Sequence, residues 1–281
     1  MNKTTVVSAT VTIPAESSAR SLAITGTPLP STAPSLPAQP AAAKGKPPED
    51  SSRPVRYAAA VLKGQPDMLE RIAPCFVSNN AKIEKHQEDW FLDSSEFASC
   101  TKGEQIFPIA DDVVSRVNRI LSLYCGATST LSVEHIYWIN AEGTPLRTIR
   151  GSGTVNVVSS KGLAELNTMS GTQPLGSAVF RAMVVDSAVN EALSLHGEGE
   201  LSWGQIYDVI EFLGGVDAVD KAGYASKKQT RTVRQTANHY RHLGGPKKNP
   251  LPSHPPTLPE ASEFARSLLK SWISSRLRLL Q

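Results

Sequence analysis

SKKQTRTVRQTANHYRHL, residues 226–243, decides how the C-terminal third of the chain is read. Ser226 offers a side-chain oxygen to the first amides of a helix. Beyond it, Val233, Ala237 and Tyr240 recur three or four residues apart, the period of an α-helix with one apolar face. On a wheel of about 100° per residue, Arg231, Arg234, Asn238, Arg241 and His242 share a polar stripe about 100° wide, and His239 lies off it. The stretch reads as a basic amphipathic helix packed on others.

Its neighbours are also helical. Val179, Phe180, Met183, Val184 and Ala188 predict one helix over 174–195. Ser202 caps a second that runs to Leu213 and ends at Gly214 and Gly215, and a short helical turn covers 216–222. After a Pro-rich loop at 244–257, Thr257 and Glu260 form a capping box for a last helix. Its apolar face carries Leu258, Ala261, Phe264, Leu268, Leu269, Trp272 and Ile273. Residues 173–281 are expected to form an all-α four-helix module without strands.

Upstream, 55–162 reads as a small α+β domain. A helix is predicted over 108–124, with Pro108 in its first turn and Gly126 as its C-cap. Strand-like runs follow at 131–140, 145–150 and 154–159, an antiparallel meander with turns at Glu142-Gly143 and Gly151-Ser152-Gly153. Further strands are expected at 55–62 and 89–92. Weak periodicity and a glycine near each end place a domain boundary at 163–172. Residues 1–54 are rich in Ser, Thr, Ala and Pro and poor in large apolar side chains. Such a segment cannot offset its ordering entropy by burial and is expected to be a disordered tail.

Net charge is +3, too small to imply a nucleic-acid or membrane partner. Its distribution says more. From Asp186 to Asp220 there are eight acidic residues and no Lys or Arg; from Lys221 to Lys248 there are eight basic residues and no acid. Two readings stand open. The runs attract each other within one module, or the basic run forms an anion-binding surface. Three cysteines, Cys75, Cys100 and Cys125, without a C-x-x-C pair point to free thiols in a reducing, cytoplasmic setting. No apolar run approaches a membrane span and no secretory leader is evident.

Walker A, HExxH and G-x-S-x-G signatures are lacking, and no metal or cofactor is indicated. The polar stripe is the candidate site. Imidazoles can move protons near neutral pH. Guanidinium groups hold phosphates bidentately and stabilise charge growing on their oxygens. Arg234, Asn238, His239 and His242 are the catalytic candidates. Arg231, Arg241, Lys227 and Lys228 are the phosphate- or RNA-binding candidates.

Arg234-Gln235-Thr236-Ala237-Asn238-His239 has R-x4-H spacing. With 203–211, Arg241-His242 and 256–261, it makes residues 175–280 resemble the HEPN superfamily, in particular the HEPN-like C-terminal domain of a group of bacterial proteins. The resemblance implies a helical bundle, often a homodimer. In its active members RNA is cleaved without metal by attack of the ribose 2′-hydroxyl on the adjacent phosphate. Many members serve defence or stress, and many are non-catalytic interaction or dimerisation modules. Here His242 or His239 would move the proton, and Arg234 and Arg241 would steady the phosphorane. A straight helix sets Arg234 and His239 about 140° apart, whereas His242 shares a face with Arg234.

Overall fold

The computed structural model describes residues 57–64, 66–86, 88–100, 103–126, 131–139, 145–149, 160–197, 199–242 and 250–280. The expected tail at 1–54 and the expected strand at 154–159 lie outside them. All of the described residues belong to one unit, Pro48–Gln281.

Strand β1 (Tyr57–Lys63) is buried at every position from Ala58 to Leu62, the signature of a central strand covered on both faces. Helix α1 (Pro66–Ile72) and a 3-10 turn, Ala73–Cys75, lead to β2 (Val77–Ser78), β3 (Ala81–His86) and β4 (Asp89–Asp93). Helix α2 (Gly103–Cys125) precedes β5 (Ser132–Ile139) and β6 (Pro145–Ile149). The six strands form one antiparallel sheet in the order β2-β3-β4-β1-β5-β6. The expected α+β architecture is thus present, with β2 and β3 added.

Helix α2 begins at Gly103, ahead of the predicted start, so Pro108 lies inside it. There it removes one intrahelical hydrogen bond, and the buried stripe of Ile106, Ala110, Val113, Val117 and Ile120 holds the helix together across the gap. Asn118 fixes the entry to β5: its amide donates to the Leu131 carbonyl at 3.0 Å and its carbonyl accepts from the Leu131 N–H at 2.8 Å.

Helix α3 (Ser160–Leu166), a small hairpin of β7 (Met169–Ser170) and β8 (Gln173–Pro174), and helix α4 (Leu175–Val185) follow. Helix α3 and β7 reach into 163–172, where a domain boundary was expected, and β8 at 173–174 is a strand inside the module expected to have none. The glycines that suggested the boundary have local causes. A Cβ on Gly162 would stand 2.3 Å from the Tyr124 carbonyl oxygen, so α3 and α2 approach as closely as backbone allows. Gly171, at φ +68°, closes the β7–β8 turn. One apolar core runs from Ala58 on β1 to the last helix of the chain. Ser177 of α4 crosses the same line, accepting from the Val77 N–H at 2.9 Å and donating to the Cys75 carbonyl at 3.2 Å.

The helix predicted over 174–195 is two helices. Asp186 is extended, with φ −127° and ψ 102°; it ends α4 and caps α5 (Ser187–His196) by accepting from the Ala188 N–H at 3.0 Å. Its other oxygen receives Arg276 at 2.6 and 2.9 Å. No Gly or Pro marks this break; a capping carboxylate anchored by a distant arginine does. Then come α6 (Trp203–Phe212), α7 (Gly215–Lys221), α8 (Lys227–Arg241) and α9 (Leu258–Leu279). Ser202, Ser226 and Thr257 are the N-caps, as the sequence indicates. Among the described residues no helix is long and apolar enough to cross a membrane.

The junction of α5 with α9 buries a histidine. His196 is 1 % exposed, its Nδ1 lies 3.0 Å from the Gly197 carbonyl oxygen, and its Nε2 meets no partner among the described residues. Burial pulls its pKa down to about 4, and Arg266 and Lys270 add to the drop. An unfolded chain would hold the proton up to about pH 6.5. Stability is therefore full above that pH and falls as the pH drops towards about 4. Glu84, Asp217 and Glu260, whose pKa values are lowered by hydrogen bonds, lose their contribution only at lower pH still. Urea unfolding at pH 7 and pH 5 should differ by about 2 kcal/mol from His196 alone. A His196→Gln variant should lack most of that difference.

Candidate functional site

Helix α8 crosses α6, and the polar stripe runs along the seam. Val233 and Ala237 are buried, as expected. Thr230 and Thr236 are buried as well, and their hydroxyls donate to the carbonyls of Ser226 at 3.0 Å and Thr232 at 2.9 Å. Satisfied within their own helix, they add nothing polar to the core.

Two arginines of the stripe, Arg234 and Arg241, turn towards α6. Arg234 donates from Nε to Glu211 Oε1 at 2.5 Å and from its terminal nitrogen to the Tyr207 hydroxyl at 3.2 Å. The Glu211 carboxylate holds its pKa above the ordinary arginine value. Arg241 lies flat over the Tyr207 ring, 3.8 Å from the centroid, and reaches Asp208 at 3.4 Å. Arg234 approaches the same ring at 5.2 Å. Tyr207 thus carries two guanidinium groups, with a carboxylate at each. Stacking on an aromatic face is a favoured arrangement for arginine.

His242 is the C-cap of α8, and its Nε2 lies 3.3–3.4 Å from the Arg241 guanidinium. Asn238 is half-buried between these groups along the helix. The ring of His239 meets Tyr240 edge-on at 5.2 Å. Tyr240 stacks on Trp203 at 5.0 Å and 20°. Of the catalytic candidates, Arg234 and His242 therefore gather around Arg241 and Tyr207, whereas His239 meets Tyr240.

The binding candidates divide differently. Lys227 pairs with Asp217 at 2.6 Å, and its N–H donates to Asp220 at 2.8 Å. Arg231 is exposed and acts electrostatically on Asp217. Lys228 is exposed at the far end of the helix, about 20 Å from Arg241 at the ordinary helical rise. It cannot share an anion with the Arg241 end.

Tyr207, Asp208 and Glu211 are not among the site candidates the sequence offers, although 203–211 carries the resemblance and both carboxylates belong to the acidic run. All three lie on one face of α6 at i, i+1 and i+4, and that spacing opposite a basic stripe was the signal available. Among the described residues, no group of His, Cys, Asp and Glu is placed to hold a metal ion. The three cysteines are free and buried, and burial raises their thiol pKa values, to about 11 at Cys75 and about 12 at Cys125. Thiols so protonated are poor nucleophiles. None of the known protein-family models, curated proteins or solved structures matches this chain.

Proposed function

We propose that the chain is a non-catalytic interaction protein whose C-terminal bundle associates with a second copy of itself. One observation carries this reading. The cations best placed to seize a phosphate are already paired: Arg234 with Glu211, Arg241 with Asp208 and Lys227 with Asp217. A seam so neutralised exerts little pull on a polyanion. Where α4 ends beside the C-terminal end of α9, several large apolar side chains are exposed. Val185 and Leu280, 62 % and 45 % exposed, line a groove with Leu277, and Leu279 beside it is 77 % exposed. Clustered apolar side chains of this kind mark protein contacts more often than solvent faces. Sedimentation equilibrium of the full chain at tens of micromolar should give a dimer. The paired substitution Val185→Asp with Leu280→Asp should weaken association about tenfold or more, without loss of helical content. A wild-type monomer at that concentration, or an unmoved dimer in the variant, would refute the reading.

A second reading rests on a specific observation too. Arg234 and Arg241 meet at Tyr207 and His242 lies against Arg241, which is the material of a metal-independent RNA-cleaving site in a HEPN-like module. In that reading the ribose 2′-hydroxyl loses its proton and attacks the adjacent phosphate, the arginines steady the phosphorane, the P–O5′ bond breaks with His242 moving a proton onto or from the reacting oxygens, and a 2′,3′-cyclic phosphate and a free 5′-hydroxyl are left. RNA incubated with the protein in EDTA separates the two. The first reading predicts intact RNA. The second predicts EDTA-resistant cleavage that is lost in both Arg234→Ala and His242→Ala.

A further inference from the structure

The N-terminal end of α8 opens onto a different feature, a surface groove of about 710 Å³ between α8 and residues 250–256. Its size falls in the range of small-molecule sites. We infer that this groove is a binding site for a nucleoside monophosphate, and the inference is independent of the dimer reading.

Three parts of the wall fit three parts of such a ligand. The first is cationic. Lys228 is exposed, lines the groove and takes part in none of the ion pairs that occupy Lys227, Arg234 and Arg241. Across from it, on the proline-rich segment, stands His254. Its Nδ1 is within 3.1 Å of the Ser253 hydroxyl, which leaves Nε2 for a ligand. An ammonium and an imidazole suit one phosphate group. They are too little charge for a di- or triphosphate, and among the described residues no second Lys or Arg lines the groove.

The second part is apolar. Pro252, Pro256 and Phe264 supply a dry wall against which a flat base can lie. The third is Glu260. Its Oε2 is engaged by the Thr257 N–H at 2.7 Å and hydroxyl at 2.8 Å, and those hydrogen bonds hold the carboxylate ionised. The other oxygen is left as an acceptor for ribose hydroxyls, a role acidic side chains fill in dinucleotide sites. A carboxylate in the wall also argues against a bare anion. It repels free phosphate but accepts from the sugar of a nucleotide.

The groove is built from elements that fold for other reasons. Gln235 donates to the Pro250 carbonyl at 2.8 Å and ties the proline-rich segment to α8. The Thr257 capping box sets where α9 begins, and hence where Glu260 and Phe264 stand. The wall is thus held in place before any ligand arrives, which lowers the cost of binding.

Isothermal titration of the full chain with AMP, adenosine and inorganic phosphate tests this. AMP should bind saturably, and adenosine and phosphate should each bind at least about tenfold more weakly. Lys228→Gln should weaken AMP about tenfold and His254→Gln severalfold. Both residues are exposed, so thermal melts of the two variants should match the parent. The proposal fails if AMP gives no saturable heat up to about 5 mM, if Lys228→Gln leaves its affinity unchanged, or if phosphate or adenosine alone matches AMP.

Discussion

The mutual attraction of two oppositely charged helices governs the C-terminal half of this protein. Helix α6 lays Asp208 and Glu211 along the seam, α8 lays Arg241 and Arg234 opposite them, and the ring of Tyr207 meets both guanidinium groups. Each contact alone is partly exposed and worth little. Their combination is more constraining, because two planar cations must both meet one ring and each must keep its carboxylate. That geometry fixes the rotation of α8 about its own axis. With it come the burial of Val233 and Ala237 and the placement of Lys228 in the groove at the other end of the helix.

Much of this order was legible in the sequence. The eight acids followed by eight bases left two readings open, internal pairing or an anion-binding surface, and the structure pairs Lys227, Arg234 and Arg241 with acids of the first run. The caps at Ser202, Ser226 and Thr257 were legible because capping is local chemistry. Long-range features were not. Nothing near Asp186 shows that it breaks a helix, because the group that holds it, Arg276, lies ninety residues away. Gly162 reads as a linker until the Tyr124 carbonyl is placed beside it. Pro108 reads as a helix opener, yet the apolar stripe that begins at Ile106 carries the helix back past it.

The candidate site shows the same division. The helical wheel separated His239 from Arg234 and joined His242 to it; in the structure His242 meets Arg241, and Arg234 meets Glu211 and Tyr207. What a single helix could not reveal is the surface opposite. The partners of a guanidinium group decide whether it binds a phosphate or holds a fold together, and those partners sit on α6. Residue type and spacing singled out a stretch; the tertiary contact sets the role proposed for it. His254 went unnoticed for the complementary reason. It lies in a proline-rich loop without periodicity, and its setting exists only once α8 and α9 have formed.

The claim that the charged seam is an internal clasp is tested most directly by a double-mutant cycle on Arg234 and Glu211. Urea unfolding would be measured for the parent, for Arg234→Ala, for Glu211→Ala and for the double variant. A clasp gives a favourable coupling of about 0.5–1 kcal/mol that shrinks in high salt. A coupling indistinguishable from zero, with each single variant as stable as the parent, would contradict it and return Arg234 to the pool of free cations.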